Sequence, residues 1–126
     1  MLGHMPMRCL IVDDSAIFLR AARTLLEREG IAVTMASTSG EAHRLVDEIG
    51  PDVVLVDIDL GKESGFDLVA QLAARVPGDA APQLILISSH GREDFEELIT
   101  ESAARGFLNK STLSAAAIRR MIGNGG

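Results

Sequence analysis

Three short stretches in which no polar residue interrupts the apolar ones, residues 10–12, 53–56 and 84–87, constrain this chain more than any other feature of it. A strand with one face in water alternates apolar and polar side chains. A strand that is apolar on both sides has to be covered on both, as in parallel sheets lying between two layers of helices. With 126 residues the chain fits one domain around one core. Helical spacing fills the gaps between the strands. Residues 16–29 place Ile17, Ala21, Leu25 and Leu26 inward behind a cap at Asp14 or Ser15, and Gly30 ends the helix. A strand over 31–36 and a helix over 38–49, with Ala42, Leu45, Val46 and Ile49 inward, lead to the break at Gly50-Pro51.

Residues 52–57 read as the third strand and 58–64 as a loop around Gly61. A third helix follows over 65–76 with Phe66, Leu68, Val69, Leu72 and Ala73 inward, and Pro77-Gly78 ends it. Next come a fourth strand over 83–88 and a short acidic helix over 92–101 with Phe95, Leu98 and Ile99 inward. A fifth strand over 106–109 and a fifth helix over 112–122 close the pattern. Five strands alternating with five helices predict an α/β fold, a doubly wound parallel sheet with helices on both faces. The domain spans 7–122. Residues 1–6, with a second methionine after Gly3-His4, read as a remnant or disordered N-terminus, and 123–126 as a flexible tail, so His4 is set aside.

Composition narrows the class. Hydrophobic residues at 47% and charged residues at 24% give a globular balance, and no apolar run approaches the ~20 residues that cross a bilayer. A net charge of -6 repels a polyphosphate backbone, which argues against direct nucleic-acid binding. The single cysteine, Cys9, cannot make an internal disulfide and lies in an apolar stretch as a core residue, in keeping with a reducing cytoplasm.

The chemistry lies where polar residues interrupt the apolar strands. Asp13 and Asp14 end the first strand, Asp57 the third and Ser88 the fourth, and Lys110 follows the fifth. In a parallel sheet these ends share one edge, where ligands bind at the topological switch point. Singly, each has a plainer role. Asp13-Asp14-Ser15 can cap a helix, Asp57 can cap a loop, Ser88 can bond a strand-end backbone group, and Lys110 can be a solvated charge. Together they make a set of oxygen donors whose mutual repulsion a cation would relieve, which suits Mg2+, with Mn2+ as a substitute, rather than zinc. His43 and His90 stand too far apart in the chain to suggest otherwise. A lysine and a hydroxyl facing that ion suit the oxygens of a phosphoryl group in transfer, with Asp57 as the nucleophile.

Over residues 7–122 the sequence resembles the response-regulator receiver family. The match rests on Asp13-Asp14, Val-Leu-Val-Asp57, Ile-Leu-Ile-Ser88-Ser89 and Gly106-Phe-Leu-Asn-Lys110. The resemblance implies a flavodoxin-like, five-stranded sheet in the order 2-1-3-4-5 with five helices. It implies Asp57 as phosphoacceptor, Asp14 as a direct Mg2+ ligand, Asp13 as a ligand through water, and the Asp59 backbone carbonyl as a further ligand. Ser88 and Lys110 would hold phosphoryl oxygens, Ser88 and Phe107 would form a switch, and Asp59 and His90 would tune hydrolysis. The implied partners are a sensor histidine kinase and an output domain or partner protein. A homodimer through the face of the fourth helix, fifth strand and fifth helix is also implied. Residues 52–68 and 106–114 resemble receivers of transcription regulators. Such a domain is a phosphoacceptor rather than an enzyme, and works in the cytoplasm without touching membrane or nucleic acid.

Two departures from the family pattern stand out. Ser111 follows Lys110 where the family often has a proline with a cis bond, and Phe107 lacks the hydroxyl of the tyrosine frequent there. Three other readings compete. Asp57-Ile-Asp59 also resembles the nucleophile motif of haloacid-dehalogenase phosphatases, although that family places it on the first strand. A flavodoxin-like cofactor binder would need a phosphate loop where this chain has Asp13-Asp14. A receiver-like module that accepts no phosphate is the third.

Overall fold

Strand β3 (Val53–Asp57) is buried along its whole length, and its neighbours β1 (Arg8–Val12) and β6 (Gln83–Ser88) are buried at every residue but the first. The computed structural model, which describes residues 6–75 and 81–123, accounts for this with helices on both faces of a parallel sheet. Strand β2 (Ala32–Ala36) lies outside β1, and β7 (Gly106–Asn109) outside β6, so the order is β2-β1-β3-β6-β7. Counted along this sheet alone, that is the expected 2-1-3-4-5. The order reverses between β1 and β3, which pair Val12 with Val56.

Alternate strand residues feed two cores. Leu10, Val12, Val54, Val56, Leu84 and Leu86 face helices α2 (Ser39–Ile49), α3 (Gly65–Arg75) and α4 (Glu96–Glu101). Cys9, Ile11, Val53, Leu55, Ile85 and Ile87 face α1 (Ala16–Arg28) and α5 (Ala115–Met121). Burial pushes the Cys9 thiol up to about 12, so it is a neutral core group at ordinary pH.

Local chemistry sets the helix ends. Thr38 accepts the Glu41 N–H at 3.1 Å while the Glu41 carboxylate accepts the Ser37 N–H at 2.7 Å, a variant of the capping box, and Gly50 closes α2 in the left-handed region at φ 55°. Ser15 caps α1 by accepting the Phe18 N–H at 3.2 Å.

Helix α1 turns a different face inward from the one its spacing suggests. Leu19, Ala22 and Leu26 are buried, whereas Ile17 is 76% and Leu25 38% exposed, and Ala21 also faces out. The expected set thus holds at Leu26, whereas Leu19 and Ala22, which fit the helical repeat as well as Ile17, Ala21 and Leu25 do, take the other inward places because that side packs against the sheet.

Three other expectations are corrected. The loop over 58–64 contains a hairpin, β4 (Asp59–Leu60) against β5 (Glu63–Ser64), because Leu60 enters the core at 4% exposure and Gly61 turns with φ 75°. The fourth helix is a 3-10 turn (Arg92–Asp94) followed by six-residue α4, and Leu98 is 53% exposed rather than inward. The fifth is a 3-10 turn (Lys110–Thr112) followed by α5, with Ser114 accepting the Ala117 N–H at 3.0 Å. The expectations placed on residues 1–5, Val76, Pro77-Gly78 and 124–126 lie outside the described residues. No described helix is long and apolar enough to cross a membrane.

The reversed face of α1 can be measured. Leu19→Ala, a buried leucine outside the expected set, should cost about 2–5 kcal/mol in urea unfolding, and Ile17→Ala less than about 0.5 kcal/mol. The opposite order of effects would restore the face read from the spacing.

Candidate functional site

Four parallel strands deliver their C-terminal ends to one edge, and each end carries one of the polar residues singled out in the sequence. Asp13 follows β1, Asp57 ends β3, Ser88 ends β6 and Lys110 follows β7. Asp13, Asp57 and Ser88 are the buried polar residues among those described, at 0%, 5% and 4% exposure. Asp14 is exposed beside them. One carboxylate oxygen from each of Asp13, Asp14 and Asp57 lies within 4.8 Å of the others.

Lys110 Nζ reaches into this cluster, 2.6 Å from Asp13 Oδ2 and 3.3 Å from Asp57 Oδ2. The other oxygens are held by backbone. Asp13 Oδ1 accepts the Ser15 N–H at 2.8 Å, and Asp57 Oδ1 accepts the Asp59 N–H at 3.2 Å. Burial pushes the Asp57 carboxyl up to about 6 and the Asp13 carboxylate adds to the rise, while Lys110 and the Asp59 N–H pull the other way. Burial works against the Lys110 ammonium, but Asp13 and Asp57 outweigh it and leave that group above its ordinary value.

A divalent cation fits this donor set. Three carboxylates face one ammonium, which leaves two negative charges unmatched when all are ionised. Asp13 Oδ2 is buried without a directed hydrogen bond, since Lys110 approaches it as an ion pair outside hydrogen-bonding direction. All the donors are oxygen, the choice of Mg2+, Ca2+ or Mn2+.

Residues 9–122 match the model of the response regulator receiver domain. The chain belongs to that family. It is 33% identical over 124 residues to the protein-glutamate methylesterase/protein-glutamine glutaminase 5 of Myxococcus xanthus, covering 96% of this chain and 34% of the relative. It is 30% identical over 103 residues to the alginate biosynthesis transcriptional regulatory protein AlgB of Pseudomonas aeruginosa, covering 82% of this chain and 22% of the relative. The chain thus spans about a third or less of these longer proteins. Among solved structures, the response regulator receiver domain from Methylobacillus flagellatus superposes with a TM-score of 0.78 at 22% identity, covering 94% of this chain and 98% of that one. The sheet places Asp57 on its third strand, so the dehalogenase reading, which needs the nucleophile on the first, loses its footing.

The other residues singled out in the sequence make contacts of their own. The Ser88 hydroxyl oxygen accepts the His90 N–H at 2.9 Å, which leaves its own O–H free to donate elsewhere. His90 is exposed, its ring edge-on to Phe95 with centroids 6.4 Å apart. The Asp59 carboxylate folds back to accept the Gly61 N–H at 3.1 Å. Phe107 is half-buried against the core beneath α2, α3 and α4. No described peptide bond is cis, that between Lys110 and Ser111 included.

Four contributors escaped the sequence reading. The Phe18 ring lies 4.4 Å from Lys110 Nζ and forms an apolar, cation-favouring wall. Asn109 Oδ1 accepts the Ser111 N–H at 2.9 Å and its O–H at 2.8 Å, and Asn109 Nδ2 donates to the His90 carbonyl at 3.2 Å, tying the Lys110 turn to the loop after β6. Ser111 therefore braces the turn that proline often shapes in the family. Gly65 packs α3 onto the end of β3, where a Cβ would stand 2.0 Å from the Asp57 carbonyl oxygen. Glycine at a helix start was a legible signal for the last, and Phe18 one turn after the acidic pair for the first.

Burial, with the Asp13 carboxylate beside it, should make an ionised Asp57 costly to the metal-free fold. A carboxyl raised in the folded state is fully compatible with folding below its unfolded value near 3.8, and the cost grows as pH rises through about 6. Asp57→Asn should therefore raise stability in chelator by roughly 1–3 kcal/mol near neutral pH and by little near pH 4, at about 1.4 kcal/mol per pH unit of displacement. Thermal melts at both pH values read this, and an Asp57→Asn variant less stable than the parent at neutral pH would contradict it.

Proposed function

We propose that this receiver accepts a phosphoryl group on Asp57 from the phosphohistidine of a sensor kinase, with Mg2+ held by Asp14, Asp57 and the Asp59 backbone carbonyl, and by Asp13 through water. The supporting observation is the meeting of Asp13, Asp14 and Asp57 within 4.8 Å, with Lys110 bridging two of them. A carboxylate oxygen of Asp57 attacks phosphorus, the phosphorus–nitrogen bond breaks, and the imidazole leaves with the bonding pair. The ion supplies charge neutralisation of the transferring group. Lys110, only 3.3 Å from Asp57 and not tightly bonded to it, exchanges the carboxylate for a phosphoryl oxygen. The Ser88 O–H donates to another.

The new group carries close to two negative charges, so it draws Ser88 and Lys110 toward Asp57. Ser88 moves with the His90 N–H bonded to it, and Phe107, already half-buried, fills the space behind. The face of α4, β7 and α5 then takes another shape, which an output domain, a partner protein or a second copy reads. AlgB is named a transcriptional regulatory protein and the Myxococcus relative a methylesterase, and we assign the first kind of output here on the resemblance of residues 52–68 and 106–114. The domain itself carries out phosphoryl acceptance and loss only, in the cytoplasm, with Asp59 and His90 tuning the loss.

Intact mass after incubation with acetyl phosphate and Mg2+ tests the reading. One phosphoryl group should be added, none in Asp57→Asn, and none when the metal is chelated. Lys110→Ala should label on the order of 10²-fold more slowly, the loss expected for one oriented electrostatic group. In a metal titration Asp14→Ala should abolish binding and Asp13→Ala weaken it less. Equal labelling of the Asp57→Asn variant would exclude Asp57 as the acceptor.

A further inference from the structure

The β4–β5 hairpin is held at two ends, and its outer end is held by a residue outside the acidic cluster. At the inner end Gly65 N–H donates to the Ile58 carbonyl at 2.8 Å, the Asp59 N–H donates to Asp57, and Leu60 is buried. At the outer end the Glu63 carboxylate accepts the Ser39 N–H at 3.0 Å and the Ser39 O–H at 2.6 Å. Ser39 is the first residue of α2, so Glu63 caps that helix from a distant part of the chain, where an anion is favoured by the free N–H groups. The Ser39 hydroxyl and amide hold the Glu63 carboxyl below its ordinary value, which keeps the contact ionised at neutral pH.

This contact restrains one wall of the acidic cluster. Asp59 is paired with Ser64 and Leu60 with Glu63 across the hairpin. Gly61, at the turn, lies so close to Asp14 that a Cβ on it would stand 3.0 Å from Asp14 Oδ2. Asp57 ends β3 and Asp14 stands in the turn from β1 to α1, whereas the Asp59 carbonyl is carried by the hairpin, so their spacing depends on where the hairpin rests.

We propose that Glu63, acting through Ser39, is a positioning residue for the cation site. The latch sets the hairpin against α2 and keeps the Asp59 carbonyl within reach of an ion held by Asp14 and Asp57. The assignment rests on the reading of the cluster as a Mg2+ site. Both latch residues are exposed or nearly so, and such pairs add little to global stability. Mg2+ tolerates little deviation from octahedral geometry, so a small shift of one ligand acts on affinity more than on folding.

Amide chemical shifts during Mg2+ titration of the intact chain, with thermal melts and hydrogen exchange in chelator, test this. Glu63→Ala and Ser39→Ala should each weaken Mg2+ binding roughly three- to tenfold, below the usual loss for partners bonded directly to a ligand. The double substitution should weaken it no further than Glu63→Ala alone, because that variant already removes both bonds, whereas Ser39→Ala keeps the one from its N–H. Glu63→Gln should fall between, since its amide oxygen can still accept the Ser39 N–H. Exchange at the hairpin turn should rise in both single variants, more in Glu63→Ala, with melting temperatures nearly unchanged. Unchanged affinity in both single variants, while Asp14→Ala abolishes binding, would overturn the latch and leave the metal site standing. Additive losses would overturn it too. Wild-type protein that binds no Mg2+ would overturn the proposed function and the positioning role with it, while the exchange data still report whether the contact restrains the hairpin.

Discussion

Like charges forced together in a dry place govern this receiver. The sheet ends bring Asp13, Asp14 and Asp57 within 4.8 Å of one another, two of them buried, and Lys110 alone cannot balance three carboxylates. Burial penalises the charged form of Asp57 and the nearby Asp13 carboxylate adds repulsion, and the rise of Asp57 to about 6 expresses both costs. The site would thus gain from a cation that adds positive charge among the carboxylates.

The rest of the fold serves to keep those groups from moving apart. A continuous apolar sheet with cores on both faces fixes the strand ends, so the carboxylates cannot relieve their repulsion by shifting backbone. Short backbone bonds orient individual oxygens, from Ser15 N–H to Asp13 and from Asp59 N–H to Asp57. Gly65 lets α3 start directly on the β3 end, where any side chain would collide with the Asp57 carbonyl. Around that sheet, side-chain hydrogen bonds hold the turn that carries Lys110, the loop after Ser88 and the hairpin.

Ser111 illustrates how a departure from the family pattern is accommodated. The turn after β7 has no proline to shape it, and side-chain bonds between Asn109 and Ser111, with Thr112 Oγ1 donating to the Asn109 carbonyl at 3.1 Å, provide the constraint instead. The same Asn109 reaches His90, so the turn bearing Lys110 and the loop after Ser88 are linked directly.

The amino-acid sequence by itself determined the sheet, its parallel sense and the acidic edge, because uninterrupted apolar runs such as residues 53–56 admit one environment and Asp57 and Ser88 interrupt them at a definite end. Tertiary structure decided the matters in which local pattern is degenerate. The face of α1 is one: Ile17-Ala21-Leu25 and Leu19-Ala22-Leu26 repeat equally well, and only packing against the sheet chooses between them. Leu98 is another, apolar yet left outside because α4 is too short to turn a second side inward. The contacts of Phe18 with Lys110, of Glu63 with Ser39 and of Gly65 with Asp57 join residues 92, 24 and 8 positions apart. Periodicity reports which side of an element is apolar, but which distant residue meets it depends on how the elements close around one another.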